Sequence, residues 1–392
     1  MHEVVIVSGV RTPTGGFGGT LSTIPAPQLG AIVVKEALKR AGITGDMVDE
    51  VIIGTHFQAG IKANSARQAA LYAGIPEEVP AWTPNKNCGT GLKAINVAAQ
   101  SIMVGDNEIV VAGGCETMSD IPYLLKKARF GYRMGHGELL DGMLYDGLID
   151  PFMNYHMGIT AENVAEKCGI TREMQDEFAY RSHVLASQAS KAGYFKEEIV
   201  PVTVTKKKET IEFTEDETIR HDISLEKLAK LRPAFKEGGT VTAGNASGIN
   251  DGAAAVVMMS KEKAQELGLK PRLKIVAQAS AGVHPSIMGY APVPAINKLL
   301  QKAGLTKDDI DLFEINEAFA AQAVACVKDL GLDMDKVNVN GGAIALGHPV
   351  GCTGARLIVS IMHELERRQA KRGVVALCIG GGQGIATLVE RC

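Results

Sequence analysis

The sequence predicts an α/β fold made of two similar halves separated by an insert, and two observations carry this reading. The first is an internal repeat: Val33 to Gly54 (VVKEALKRAGITGDMVDEVIIG) is matched by Ala295 to Glu317 (AINKLLQKAGLTKDDIDLFEINE). The pairs Ala41/Ala303, Gly42/Gly304, Thr44/Thr306, Asp46/Asp308 and Asp49/Asp311 share one offset. Chance convergence of α/β units is the competing explanation, and matched offsets over consecutive elements favour duplication. The second is that the match continues. Gly89-Thr90-Gly91 opens an apolar helix over Leu92–Val104, and Glu108-Ile109-Val110-Val111 then runs to Gly113-Gly114. Cys352-Thr353-Gly354 opens a helix to about Gln369, and Val374-Val375-Ala376-Leu377 runs to Gly380-Gly381-Gly382. Strand and helix alternate in each half, and the strands are near-continuous apolar runs, as in sheets buried on both faces.

Taken in order, Val4-Val5-Ile6-Val7 begins the first strand. In each repeat copy an amphipathic helix stops at Ala-Gly, where glycine supplies a left-handed cap. Thr and Asp then begin a short turn, and an apolar β-rich run follows. From about Ser119 to Lys270 the character changes. Basic and glycine-rich stretches appear (Lys126-Lys127-Ala128-Arg129, Gly131-Tyr132-Arg133), with a long helix from about Thr171 to Ala192. Lys206-Lys207-Lys208 reads as a solvated hairpin edge rather than a phosphate clamp; Arg220, just before His221, is the better phosphate candidate. The expected division is therefore 1–118 for the first half, 119–270 for an insertion returning to that half near residue 250, and 271–392 for the second half.

Composition narrows the function. A chain of 392 residues with 46% apolar and 22% charged residues can bury large cores. A formal net charge of −3 and 5% aromatic content recommend neither nucleic acid nor an anionic membrane as partner. No basic segment followed by an apolar one opens the chain, and no run of about 18 apolar residues occurs. The seven cysteines lack C-x-x-C spacing and read as reduced thiols of a cytoplasmic protein. No metal-ligand spacing is visible.

Three clusters can carry chemistry. Cys88 follows the extended Trp82-Thr83-Pro84-Asn85-Lys86-Asn87 and precedes Gly89-Thr90-Gly91, a strand-to-helix elbow. A helix N-terminus favours an anion and can lower a thiol from about 8.5. Thiols exchange acyl groups with thioesters reversibly, because the two sides are near in energy. A buried cysteine at a tight turn fits the same residues. His348, between Gly347 and Pro349, is poorly placed for packing and looks displayed. There it can take a thiol proton and then donate to an oxyanion, or simply sit at a surface turn. Cys378 ends an apolar strand, and Gly380-Gly381-Gly382 exposes N–H groups suited to an oxyanion. No Lys-Ser/Thr follows these glycines, so they are not a phosphate loop.

Asn85-Lys86-Asn87-Cys88-Gly89-Thr90-Gly91, His156-Met157-Gly158-Ile159-Thr160-Ala161-Glu162, Gly244-Asn245-Ala246-Ser247-Gly248, Asn316-Glu317-Ala318-Phe319, Gly347-His348-Pro349 and Cys378-Ile379-Gly380-Gly381-Gly382 occur in one order. In these six motifs the chain resembles the thiolases over essentially its full length, most nearly the biosynthetic acetyl-CoA acetyltransferases. The resemblance implies a five-layered, duplicated βαβαβαββ fold with an inserted loop domain. It implies a reversible Claisen condensation of two acetyl-CoA to acetoacetyl-CoA and CoA, with coenzyme A as substrate and product and no cofactor. Cys88 would be the acyl-accepting nucleophile, activated by His348. Cys378 would move a proton at the α-carbon. Asn316 would hold a water that, with His348, meets the enolate, and the N–H groups of Cys88 and Gly380 would form the other oxyanion site. His156 would stand by the thioester and Met157 would shorten the acyl pocket, although methionine also packs cores well. Ser247, Ala243 and Gly248 would meet the pantetheine arm, with Phe235 and Phe319 lining the slot; Ser247 also suits a plain turn. The resemblance implies a homotetramer built as a dimer of dimers, with Ser119 to Leu144 as an assembly loop.

The chain departs from the pattern at several points. Thr90 stands where serine is common, Asn87 where an apolar residue is usual, and Cys352 in place of a small residue; Lys227 and Cys115 are also unusual. None removes a catalytic group. The competing functions are a broader 3-ketoacyl-CoA thiolase and a non-catalytic scaffold. Since Cys88 and Cys378 should reach the same carbon, oxidation to a disulfide is a further expectation.

Overall fold

The computed structural model describes residues 1–206 and 209–392, so the solvated edge expected at Lys206-Lys207-Lys208 lies, at Lys207 and Lys208, outside the described residues. Nine strands build the central sheet: β1 (Val4–Arg11), β2 (Glu50–Gly54), β3 (Ala81–Trp82), β4 (Ile109–Thr117), β5 (Asn250–Ser260), β6 (Leu273–Gly282), β7 (Leu312–Ile315), β8 (Arg372–Ile379) and β9 (Gln383–Arg391). Their order is β7-β8-β9-β6-β1-β5-β4-β2-β3, and the two-residue strand Gly15–Gly16 adds to β5. In the first half β1 pairs antiparallel with β5, β5 antiparallel with β4, and β4 parallel with β2. In the second half β6, β9, β8 and β7 repeat those pairings in the same sense. The halves join where Val5 and Ile6 pair with Lys274 and Leu273.

Seven helices matter for the site: α1 (Ala26–Ala41), α2 (Thr90–Val104), α3 (Met157–Cys168), α4 (Arg172–Ala192), α5 (Pro292–Ala303), α6 (Ala320–Leu330) and α7 (Thr353–Arg368). α2 and α7 form the middle layer. Leu92, Ile95 and Ile102 pack with Leu357, Ile358 and Ile361 among strand residues of both halves, such as Val4, Ile6, Val256, Ile379 and Val389. On the outer face of the first half, Leu29, Val33 and Leu38 of α1 cover Val5, Val7 and Val257. On that of the second, Ile296, Leu299 and Leu300 of α5 cover Phe313, Val374 and Leu388. The result is the five-layered duplicated α/β arrangement expected from the sequence. It also explains the continuous apolar runs: in β1, Val4 and Ile6 face the middle layer while Val5 and Val7 face α1.

The repeat is visible atom by atom. Gly42 (φ 74°) and Gly304 (φ 65°) cap α1 and α5 with their N–H groups on the last-turn carbonyls. Asp49 Oδ2 accepts the N–H groups of Glu108 and Ile109, both at 2.8 Å. Asp311 Oδ2 accepts those of Lys371 and Arg372 at 2.9 and 2.8 Å. Each aspartate ties the start of one strand to the start of its parallel neighbour.

Between β4 and β5 the chain leaves the sheet, carries α3, α4 and two hairpins, and returns at Asn250. Fully buried Arg11 of β1 fastens this segment, with Glu198 Oε1 at 2.7 Å and Asp216 Oδ1 at 2.6 Å. Among the described residues no helix is long and apolar enough to cross a membrane.

Candidate active site

The site lies where the two central helices begin. Cys88 precedes α2 on an elbow held by side chains. Asn85 Oδ1 accepts the Asn87 N–H at 3.0 Å, and Thr90 Oγ1 accepts the Lys86 N–H at 2.7 Å. Asn87 is left-handed (φ 46°), a conformation asparagine tolerates better than most residues. Glycine is required on either side of Thr90 because the layers meet there: a Cβ at Gly89 would lie 2.5 Å from Ile379 Cδ1, and one at Gly91 2.8 Å from Ala355 N. The backbone N–H groups of Gly380 and of Cys88 itself lower the thiol, yet burial outweighs them and pushes it up to about 11. The expectation that the helix start lowers this thiol is corrected for the ligand-free protein: desolvation wins, and the resting group is a thiol.

His348 hangs from a loop fixed by Asn250, whose Oδ1 accepts the His348 N–H at 2.9 Å while its Nδ2 donates to Gly15 O at 3.0 Å. Gly347 (φ 88°) makes the turn. His348 Nδ1 lies 2.7 Å from Thr353 Oγ1, and that hydroxyl donates its only hydrogen to Pro349 O at 2.8 Å. The hydroxyl must therefore accept from Nδ1–H, which leaves Nε2 unprotonated, with a lone pair that accepts from Asn316 Nδ2. Burial pushes His348 down to about 3, so the ring is neutral. Its Nε2 is 3.4 Å from Nδ2 of fully buried Asn316. Asn316 Oδ1 has no protein partner among the described residues.

Cys378 is fully buried at the end of β8. Burial and then the nearness of Cys88 push its thiol well up. Beyond it, Gly381 (φ 84°) and Gly382 (φ 83°) turn the chain, and Gly380 O accepts from Asn87 Nδ2 at 3.1 Å.

A cavity of about 330 Å³ opens onto these groups. Cys88, His348 and Gly380 line it, as do His156, Met157, Phe235, Ala243, Ser247, Gly248 and Phe319. Asn316 and Cys378 stand just behind that wall, and Arg220 is exposed outside it. The His156 ring stacks on Phe235 (centroids 4.6 Å apart, 17° between planes), and Phe235 meets Phe319 edge-on at 6.0 Å. A Cβ at Gly158 would lie 2.2 Å from Phe235, so that stack needs glycine there. His156 Nδ1 accepts the Gly158 N–H at 3.0 Å, which puts its proton on Nε2 as a donor. Met157 both lines the cavity and packs in the core beside Cys378. Ser247 Oγ donates to Ala318 O at 3.1 Å. Among the described residues no cluster of His, Cys, Asp and Glu is placed to hold a metal.

Four residues that shape the site escaped the sequence reading: Thr353 and Asn250 behind His348, and His56 and Glu116 behind Cys88. Glu116 accepts the N–H groups of His56 (3.0 Å), Phe57 (3.2 Å) and Gly351 (2.8 Å), tying together the loops below both helix starts. Burial pushes its carboxyl up to about 8. The duplication held the signal: Thr353 opens α7 as Thr90 opens α2, and each hydroxyl bonds the residue four positions before it.

Two family models match, the thiolase N-terminal domain over residues 4–262 and the thiolase C-terminal domain over 269–391. An acetyl-CoA acetyltransferase of Syntrophomonas wolfei is 57% identical over 99% of each chain. One of Cupriavidus necator is 56% identical over the whole of both. The crystal structure of the Bacillus anthracis acetyl-CoA acetyltransferase matches with a TM-score of 0.98 at 51% identity, covering 100% of this chain and 99% of that one.

Proposed function

The chain belongs to the thiolase family, and from that premise we propose that it is an acetyl-CoA C-acetyltransferase working through an acyl group held on Cys88. The observation that carries the reading is the meeting, at one cavity, of the Cys88 sulfur, the Gly380 N–H that points at it, and the neutral His348 with its unprotonated Nε2.

Cys88 Sγ attacks the thioester carbonyl of the first acetyl-CoA, and its proton passes to His348 Nε2. The oxygen charge that develops is met by the N–H groups of Cys88 and Gly380; one such donor is worth about 2.7–4 kcal/mol. The C–S bond to coenzyme A breaks, and the departing sulfur takes the proton of Cys378. A Cys378 thiolate now faces the His348 imidazolium. A thiol held this high by burial is a strong base once charged, and it takes a proton from the methyl group of the second acetyl-CoA. The enolate oxygen lies against His348 and Asn316, or a water held by Asn316. The carbon then attacks the acyl group, and Cys88 leaves and recovers its proton from His348. No resident cofactor or metal enters these steps.

Coenzyme A would run past Phe235 and Phe319, with its pantetheine arm against Ser247, Ala243 and Gly248. The donor Nε2–H of His156 suits a carbonyl at the thioester end. Arg220, exposed outside the cavity, is the proposed contact for a phosphate of coenzyme A. Met157 reaches to 3.0 Å from the position of a Cβ on Gly380 and so closes the acyl end, which favours acetoacetyl-CoA over longer ketoacyl chains. A cytoplasmic homotetramer, a dimer of dimers, completes the proposal. The test is the chain-length profile of thiolysis. Four-carbon substrate should be cleaved best, and a preference for six or more carbons would instead make this a broader 3-ketoacyl-CoA thiolase.

A further inference from the structure

We propose that the same site also accepts short acyl thioesters bearing a hydroxyl on the carbon next to the carbonyl, with Asn87 Oδ1 accepting its hydrogen beside Cys88 and His56 Nε2 the second acceptor of that wall. This rests on the reading above and names a second substrate class for it.

The cavity wall near the nucleophile includes the apolar Met118, Leu148, Met157 and Val350, and beside the polar groups already assigned it carries two more, Asn87 and His56. Asn87 Nδ2 is 3.1 Å from Gly380 O. A carbonyl only accepts, so the amide nitrogen faces Gly380 and Oδ1 is turned away from it. That oxygen has no protein partner among the described residues. His56 Nδ1 is 3.2 Å from Asn85 Oδ1, which also accepts the Asn87 N–H. Asn85 Nδ2 donates to His56 O at 3.0 Å, which fixes the orientation of that amide. His56 Nδ1 therefore carries the hydrogen, and Nε2 keeps a lone pair with no protein partner among the described residues. Burial lowers the His56 pKa and keeps the ring neutral.

Acceptors that line the cavity beside the acylated sulfur without a protein partner favour a ligand that brings a donor, and one hydroxyl supplies a hydrogen for one of them. An acetyl group brings none. A hydroxyl on its methyl carbon brings one and occupies about the room of a methyl group. The chemistry is unchanged: the bond from Cys88 Sγ to the acyl carbon forms, the bond to coenzyme A breaks, and the proton count is that of the acetyl reaction.

The experiment compares hydroxyacetyl-CoA with propionyl-CoA, which differ by hydroxyl against methyl, as acyl donors to Cys88, following release of free coenzyme A. The wild type should favour the hydroxyacetyl donor, and Asn87→Leu, similar in size, should lower the ratio about tenfold or more. A wild-type preference for propionyl-CoA overturns the proposal. So does a ratio that Asn87→Leu leaves unmoved; if that variant does not fold, the wild-type preference decides. Acetyl-CoA in a parallel arm separates the two readings: no release from it sinks the acetyltransferase reading, whereas normal release with an adverse ratio sinks only this one.

Discussion

At the scale of single residues, the structure brings Cys88 and His348 to one cavity, with Cys378 behind its wall, as the set proposed to react. Cys88 and His348 stand beside glycines or proline, and Cys378 ends an apolar strand just before a glycine run; these settings can be read from sequence, although the structure buries Cys378 and His348. Asn250 and Glu116 act through hydrogen bonds to residues that only the fold brings near, so nothing local marks them, whereas Thr353 bonds residues four and five positions before it and the repeat held its signal. Thr353 is a positioning residue that sets the His348 tautomer. Thr353→Val should lower kcat by about 10²-fold with little change in KM, and Thr353→Ser should restore most of it. Normal kcat in Thr353→Val would show that the ring needs no such partner. The thiol makes a separate prediction. With Cys88 pushed up to about 11 and His348 down to about 3, the resting pair is neutral. The thiolate fraction therefore grows as pH rises, and alkylation of ligand-free Cys88 should climb about tenfold per pH unit from 6 to 9. A plateau near neutral pH would reveal a preformed thiolate–imidazolium pair instead.

At the scale of elements, the repeat reads through because it rests on local rules. A left-handed glycine cap suits the end of a helix and an aspartate can tie two strand starts together, and both copies keep this pair. Replacing Gly304 (φ 65°) with alanine forces a Cβ into that conformation and should cost roughly 1–2 kcal/mol, seen as a lower Tm in calorimetry. An unchanged Tm would mean that the cap relaxes. The segment between β4 and β5 was harder to read. Its helices α3 and α4 carry recognisable caps, Thr171 accepting from Met174 N for one. Its short strands, such as Tyr123–Leu124 with Leu140–Asp141, pair across turns that no periodicity announces.

At the scale of the whole molecule, buried strands explain why the layers could be anticipated. A sheet covered by helices on both faces needs apolar residues at successive positions, and the two halves of the central sheet, packed on α2 and α7, bring both helix starts to one place. How copies associate is not encoded in that pattern. Phe130 and Met134 are 91% and 97% exposed on the segment proposed for assembly. Phe130→Asp with Met134→Asp should convert tetramers to dimers in light scattering, while retained tetramers would place the contact elsewhere. The most direct test of the account is to mix the protein with acetyl-CoA, quench in acid and map the peptides. The acetyl group should be found on Cys88 and vanish when coenzyme A is added before the quench. Acetylation at another residue, or none at Cys88 while turnover proceeds, would contradict it.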